Sequence, residues 1–258
     1  MTQLKNNTYT VGIDAGELVS FVVDGHEFIH QKGSPGWGSS DTEMFPIIGP
    51  VNEANFRVKI PKGEAVQDQH GLLRQMPYGL ESQTETSAVF AKRYHAGTTV
   101  NNSKYPDKST EPQLVWPYDF VFEKSFQLKD DGLEITFKIT GEKGMPFMLG
   151  YHPAFKLHST SPKIVAKDRE TSLDEVLAVG NRALKVPDCT SITLKDSKQM
   201  TIETEGFGNF MCWTEVKNMV CIEPISFYPY DVEQSHLHEG FLHLDGTATF
   251  KVSLKPGA

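Results

Sequence analysis

The strongest constraint on the fold is a strict alternation of side chains with a period of two residues. The run 120–128 places on one side the residues Phe120, Phe122, Lys124, Phe126 and Leu128. The run 133–139 repeats this with Leu133, Ile135, Phe137 and Ile139. Between the two runs lies Asp130-Asp131-Gly132, which has the composition of a tight turn. Alternation of this kind is typical of half-buried strands, so the pattern predicts an antiparallel hairpin.

Shorter segments of the same character recur along the chain. We predict further strands at 9–14, 18–23, 28–30, 191–194, 200–205, 219–223 and 248–254. Only a short turn around 173–177 has helical character, and no repeat or flexible linker divides the chain. Many short strands separated by turns predict a single all-β domain over residues 1–258, an antiparallel sandwich or barrel.

Composition excludes several classes of partner. The formal net charge of −8 argues against nucleic acid and against an anionic membrane surface, because both need a basic footprint. Residues 1–10 lack the apolar run of a signal peptide, and no apolar stretch has the length of a membrane span. The three cysteines have no paired spacing, as is typical of a reducing compartment. We therefore expect a cytoplasmic protein.

One imidazole and one carboxylate lie in segments that predict a partly dry site. His152 stands in Gly150-Tyr151-His152-Pro153-Ala154-Phe155, and Glu223 stands in Val220-Cys221-Ile222-Glu223-Pro224. Apolar neighbours desolvate a carboxylate and raise its pKa unless a partner compensates. A proton donor and a proton acceptor held together suit proton transfer between two oxygens of one substrate. The alternative is that both are hydrogen-bonded core residues.

Other residues could bind a polyhydroxylated ligand. His70 and Arg74 are four residues apart and could donate hydrogen bonds to hydroxyl groups, although a plain surface loop has the same composition. Trp37 and Trp213 offer flat apolar faces. Asp41 is either an acceptor for hydroxyl groups or the polar start of a strand that continues through 44–49. The long polar loop 96–116 could border the site.

A metal site is a further alternative. His236 and His238 would share one face of a strand, and His243 with Glu239 could complete a set of ligands. The polar composition of this segment and the glycine at position 240 favour a solvated loop instead.

Four segments in order resemble the aldose 1-epimerase (mutarotase) family. These are Phe45-Pro46-Ile47-Ile48-Gly49, Gln69-His70-Gly71-Leu72-Leu73-Arg74 and the two segments around His152 and Glu223. The resemblance covers nearly the whole chain and is closest to the shorter bacterial members. It departs from the family after the first segment, where Gly49-Pro50-Val51 replaces an arginine and the next arginine is Arg57.

The resemblance implies a large antiparallel β-sandwich of the galactose mutarotase type with a concave cleft. It further implies interconversion of the α and β anomers of an aldose without a cofactor or metal. In that reaction His152, as imidazolium, would protonate the ring oxygen while Glu223 removes the proton of the C1 hydroxyl. His70 and Arg74 would hold hydroxyl groups, and Trp37, Phe155 or Trp213 would pack against the sugar ring. The expected partner is a small sugar, and the expected state is a monomer or homodimer.

Two alternatives from other classes remain. One is a carbohydrate-binding sandwich that uses the same aromatic residues without catalysis. The other is a metal-dependent, cupin-like barrel built on His236, His238 and His243. A glycosidase is a weaker option, since it canonically needs two carboxylates flanking the bond, and the sequence offers only Glu223 in an apolar frame.

Overall fold

The computed structural model describes residues 1–257, and antiparallel strands dominate it. The first strands are β1 (Thr2–Lys5), β2 (Tyr9–Asp14), β3 (Glu17–Val23), β4 (His26–Glu27), β5 (Glu43–Met44), β6 (Arg57–Ile60), β7 (Gly63–Val66), β8 (Gly79–Gln83), β9 (Ser87–Tyr94), β10 (Val100–Asn101), β11 (Gln113–Leu114), β12 (Phe120–Lys129) and β13 (Gly132–Gly141). They are followed by β14 (Pro146–Phe147), β15 (Gly150–Tyr151), β16 (Ala154–Lys156), β17 (Lys163–Ala166), β18 (Arg169–Ser172), β19 (Leu184–Val186), β20 (Ser191–Lys195), β21 (Gln199–Glu205), β22 (Asn209–Trp213), β23 (Met219–Ile225), β24 (Leu242–His243) and β25 (Thr247–Gly257).

Helical structure is sparse. The α-helix α1 (Leu173–Val179) begins with a capping box in which Ser172 and Glu175 bond each other's backbone amides. Short 3-10 segments cover Asn52–Ala54, Leu73–Gln75, Gly180–Arg182, Pro229–Asp231 and Gln234–Gly240. Within residues 1–257, no helix has both the length and the apolar character needed to cross a bilayer.

The predicted hairpin lies near the centre of a nine-stranded sheet. The strand order is β18-β17-β20-β21-β25-β13-β12-β9-β8. In the hairpin, Lys129 pairs with Gly132, so the turn consists of Asp130 and Asp131. Burial alternates along β12 as the period of two predicts, and the buried side includes Lys124. The alternation therefore predicted both the pairing and the face that packs inward.

A second, six-stranded sheet carries the two segments singled out for chemistry. Its order is β19-β22-β23-β15-β5, and β16 also pairs with β23. Every residue of β23 is buried, which explains its continuous apolar sequence around Glu223. The sheet therefore has a fully enclosed central strand beside the segment that holds His152.

The two sheets pack face to face on a shared aromatic core. The Phe45 ring lies 5.0 Å from that of Phe120 and 5.4 Å from that of Phe122. On the same interface the rings of Phe137 and Tyr151 are 5.0 Å apart. A four-stranded sheet, β1-β2-β3-β4, adds its buried side to the same core. The predicted all-β antiparallel sandwich is confirmed.

Two predicted strands were wrong. Segment 28–30 forms only an isolated bridge between Ile29 and Phe155, and the strand predicted through 44–49 ends at Met44. In both cases a short run of suitable residues lacks a neighbouring strand to pair with over its length. Segment 234–240, for which a solvated loop was favoured over a strand carrying His236 and His238, is a 3-10 helix.

Candidate active site

Strand register brings His152 and Glu223 together. Gly150 pairs with Ile225, and Ala154 pairs with Cys221, so the register on both sides places residue 152 directly opposite residue 223. The other edge of the His152 backbone exchanges hydrogen bonds of 2.8 and 3.2 Å with Thr42. The Nε2 atom of His152 lies 3.4 Å from the Oε1 atom of Glu223. The ordinary period of a strand thus accounts for the meeting of the two groups.

Both groups lie in the wall of a cavity of about 710 Å³. His152 is 6% exposed and Glu223 is 1% exposed. The Trp37 ring lies 4.3 Å from the imidazole of His152, and that of Trp213 lies 6.0 Å from it. The two tryptophans therefore line the cavity beside the proposed acid and base, as the sequence predicted.

The pair is buried without other polar partners. Within residues 1–257, neither Nδ1 of His152 nor either carboxylate oxygen of Glu223 has a hydrogen-bond partner. Burial, followed by the positive charge of Arg74, lowers the pKa of His152 to about 3. Burial also raises the pKa of Glu223 well above its ordinary 4.5. Unsatisfied buried groups are rare in native proteins, which makes this pair a candidate functional site.

A tight loop fixes His70 in the same wall. The backbone of His70 has a φ of +73°, and Gly71 follows with a φ of +69°. A Cβ atom on Gly71 would lie 2.2 Å from the carbonyl oxygen of Phe45, so only glycine fits this close approach. Gly71 therefore allows a close contact with the backbone of Phe45, and His70 is the residue beside it that lines the cavity.

The tautomer of His70 follows from its hydrogen bond. Its Nδ1 atom lies 2.9 Å from the carbonyl oxygen of Ile48, which can only accept, so Nδ1 carries the proton. Burial, with the nearby His152 and Arg74, holds the pKa of His70 well below 6.5. In the neutral ring Nε2 is an acceptor. The free nitrogen of His70 is therefore suited to accept a hydrogen bond, whereas the sequence suggested a donor.

The long polar loop supplies two lysines to the cavity that sequence reasoning missed. Lys104 and Lys108 both line it, and the amide of Lys108 donates to the carbonyl of Lys104 at 2.8 Å. Asn102 anchors the loop: its side-chain nitrogen donates, at 3.0 Å each, to Asp68, Ser109 and the carbonyl of Glu111. Lys104 and Lys108 thus lie in the part of loop 96–116 that borders the cavity.

Two candidate ligand contacts do not reach the cavity. Phe155 is fully buried in the core, on a strand that begins two residues beyond His152. Asp41 accepts hydrogen bonds of 2.7 Å from both Lys124 and Tyr151, and it borders a smaller, neighbouring cavity of about 290 Å³. Its carboxylate is thus committed to partners inside the protein. Arg74 lines both cavities.

Arg57, the nearest arginine after the first motif, is also committed elsewhere. Its guanidinium lies 3.1 Å from the carboxylate of Glu111. Arg57 is not among the residues that line the large cavity, which Arg74 and Arg182 do line. Arg74 is therefore the arginine nearest to the chemistry.

A metal ion would find its ligands at the proposed acid and base. Within residues 1–257, the one set of three or more His, Cys, Asp or Glu residues with ligand atoms within 4.8 Å of one another is His152, Cys221 and Glu223. Burial, and then the charge of Glu223, raises the pKa of the Cys221 thiol well above 9.0, which disfavours the thiolate that metals prefer. His236 and His238 have ring centroids 6.1 Å apart and do not form such a group with His243.

Comparison with known proteins agrees with this arrangement. A sequence model of the family described as aldose 1-epimerase matches residues 16–209. The chain belongs to the aldose 1-epimerase family. The matched range includes His152 and ends before Glu223, so the assignment of Glu223 depends on the register and the distance given above.

Curated relatives are distant. Protein LacX of Lactococcus lactis subsp. lactis, in its plasmid and chromosomal forms, is 27% identical over 162 residues. The alignment covers 59% of this chain and 50% of LacX. The chain thus spans about half the length of the curated relatives it matches.

Solved structures share the fold over nearly the full length. A galactose mutarotase-like protein from Lactobacillus casei superposes with a TM-score of 0.78 at 16% identity, covering 99% of both chains. A galactose mutarotase related enzyme from Lactobacillus acidophilus gives 0.72 at 20% identity, covering 98% and 96%. A GalM/aldose epimerase homologue from C. elegans gives 0.69 at 10% identity, covering 99% and 98%. At these identities the likeness concerns the fold.

Proposed function

We propose that the protein is a mutarotase, an isomerase that interconverts the α and β anomers of an aldose by opening and closing its ring. The observation that carries the proposal is the 3.4 Å contact between Nε2 of His152 and Oε1 of Glu223 in the wall of an open cavity. An imidazole and a carboxyl group without other partners can act on the ring oxygen and the C1 hydroxyl of one sugar. Membership of the family supports a sugar epimerase role.

The pair holds one transferable proton. Burial lowers the pKa of His152 and raises that of Glu223, so the empty site favours a neutral imidazole beside a neutral carboxylic acid. The expected imidazolium and carboxylate arise from this form by moving the proton across the contact. Mutual attraction in a poorly solvated site compensates part of the cost of the two charges.

Each chemical step then uses both groups. In ring opening, His152 protonates the ring oxygen while Glu223 takes the proton of the C1 hydroxyl, which leaves the pair in its neutral form. After rotation about the C1–C2 bond, Glu223 returns a proton to the carbonyl oxygen and His152 accepts one from the C5 hydroxyl. The protonation state that burial favours is thus the one that accompanies the open-chain sugar.

The surrounding side chains hold the sugar in reach. Nε2 of His70 accepts from one hydroxyl, and the guanidinium of Arg74 donates to another. Trp37 and Trp213 pack against the apolar face of the ring. Such positioned acid–base catalysis contributes about 10²- to 10⁴-fold per group.

Polarimetry tests the proposal. Freshly dissolved α-glucose and α-galactose should equilibrate faster with the protein than without it, and His152→Ala should abolish the acceleration. Lys163→Ala, a change on β17 far along the other sheet, serves as the matched control. Tight sugar binding by the unmodified protein without any acceleration would instead identify a carbohydrate-binding protein, and full activity of His152→Ala would remove the assignment.

A further inference from the structure

Cationic side chains are concentrated in the cavity of a protein whose overall charge is negative. The formal net charge is −8, yet four cations line the cavity: Arg74, Lys104, Lys108 and Arg182. The acidic residues in the lining are Glu53 and Glu215, both exposed, and Glu223, whose pKa burial raises well above 4.5. A neutral sugar needs hydrogen bonds and apolar contact, and it gives no reason for this excess of positive charge.

Lys104 lies close enough to Arg74 and to Lys108 for each of them to repel it. Burial lowers the pKa of Lys104, Asp68 opposes this, and Arg74 and Lys108 lower it further. Asp68 is the one carboxylate that pairs with this group, at 3.2 Å from Nζ of Lys104. Like charges gathered around a single carboxylate leave the group with unbalanced positive charge.

Arg74 has no partner of its own. The side chain is half-buried, and within residues 1–257 its guanidinium makes no hydrogen bond or ion pair. Burying the charge of a guanidinium is costly unless an anion or acceptor satisfies it. The cavity is the place where such a partner can enter, since Arg74 lines it.

The two lysines are aimed by the structure of their loop. They are four residues apart, and the hydrogen bond from the amide of Lys108 to the carbonyl of Lys104 forms a helical turn that brings them to the same side. Asn102 and Asp68 hold the start of this turn. A guanidinium with two ammonium groups is the kind of set that recognises a phosphate.

We propose that the preferred ligand is an aldose bearing a phosphate, held by Arg74, Lys104 and Lys108 while its anomeric carbon lies at His152 and Glu223. The five N–H donors of Arg74 serve a phosphate oxygen as well as a hydroxyl group. The inference rests on the proposed function because it uses the same cavity. It adds the chemical class of the substrate.

The rates of anomer exchange for glucose, glucose 6-phosphate and glucuronic acid test the proposed class of substrate. NMR exchange measurements should give glucose 6-phosphate a kcat/KM about tenfold or more above that of glucose, the scale of one lost charged hydrogen bond. Arg74→Met, Lys104→Gln and Lys108→Gln should each reduce this ratio. Lys163→Gln makes the same charge change as the lysine variants on a distant strand and should leave the ratio as it is. Equal use of glucuronic acid and glucose 6-phosphate would overturn recognition of a phosphate in particular.

Measurements of binding test the recognition of phosphate separately from the mutarotase reaction. In Glu223→Gln, calorimetry should still show glucose 6-phosphate binding more tightly than glucose, with inorganic phosphate competing and salt weakening the difference. If the two sugars bind and react equally, the phosphate inference is overturned and the mutarotase proposal stands. If glucose 6-phosphate binds tightly but no sugar is turned over by the unmodified protein, the mutarotase proposal fails and the phosphate site stands.

Discussion

Two regions of the molecule bury ionisable side chains equally well but give them opposite surroundings. In the proposed catalytic pair, His152 and Glu223 have only each other at 3.4 Å. In the second region, which we call the lysine cluster, Nζ of Lys124 lies 2.7 Å from both Asp41 and Glu43. Tyr151 joins the lysine cluster through its hydrogen bond to Asp41. Neighbouring residues 151 and 152 thus serve different regions.

The comparison shows that partners, and not burial alone, set the charge of a buried group. Burial would raise the pKa of Glu43, but Lys124 and Lys92 outweigh it and the pKa falls. For Glu223 burial acts alone, and the pKa rises well above 4.5. Within the lysine cluster the balance differs by residue, because burial outweighs Lys124 at Asp41 and raises its pKa to about 6. The lysine cluster is therefore held by ion pairs, whereas burial favours the neutral form of the proposed catalytic pair.

The largest expected effect is the loss of activity in Glu223→Gln. Removing one of the two proton-transferring groups should reduce kcat by about 10²- to 10⁴-fold. The free energy of unfolding should not fall near pH 7, because the variant removes a carboxyl group that has no partner beyond His152. Polarimetry and urea denaturation measure the two effects. A large loss of stability would mean that the carboxyl group is structural.

Lys124→Met, in contrast, should strongly reduce the free energy of unfolding. It leaves Asp41 buried without its cation and Glu43 with only Lys92 at 3.8 Å, which costs about 3–5 kcal/mol of the free energy of unfolding. Lys129→Met on the same strand is the control, since Lys129 is 46% exposed and its ion pair with Glu134 contributes about 0–1 kcal/mol. Urea denaturation of both variants measures the difference. Equal stabilities would show that the lysine cluster is not held by charge.

The smallest effect is a slope of stability against pH. Between pH 4.5 and 6.5, the lowered pKa of His152 makes stability rise with pH, because the unfolded chain binds the extra proton. The raised pKa of Glu223 makes stability fall with pH in the same window, because the folded protein keeps the proton. The two contributions oppose each other in the unmodified protein.

Single variants separate the two slopes. Relative to the unmodified protein, His152→Gln should become less stable as pH rises from 4.5 to 6.5, and Glu223→Gln should become more stable. Each slope is at most about 1.4 kcal/mol per pH unit. Urea denaturation across the window measures them, and parallel curves for all three proteins would contradict the neutral pair.

Local pattern was enough to predict most of the strands. The alternation at 120–128 predicted the hairpin and its buried face, and the apolar run at 219–223 predicted a central strand. The position of Lys124 on the buried side of β12 also indicated an internal partner, because a charged side chain inside an apolar face needs one. Asp41, the partner of Lys124, is 83 residues away, so the sequence did not show this pairing. Asp41 was therefore named as a candidate contact for ligand hydroxyl groups.

Sequence reasoning found the part of the candidate site that depends on strand register. It missed the part that depends on how the polar loop folds against the rest of the chain. The family resemblance named His152 and Glu223, and the register of β15, β16 and β23 places them opposite each other. Lys104 and Lys108 reach the cavity only because Asn102 contacts Asp68, 34 residues earlier. No periodic pattern reports such a contact.

The anchoring of the polar loop at Asn102 has a consequence for engineering. One amide holds both ends of the segment, through Asp68 on one side and Ser109 with Glu111 on the other. Residues 103–108 between those anchors are separate from the strands that carry His152 and Glu223. Exchange of this short segment should therefore change the charge of the cavity wall while leaving the imidazole and the carboxyl group in place.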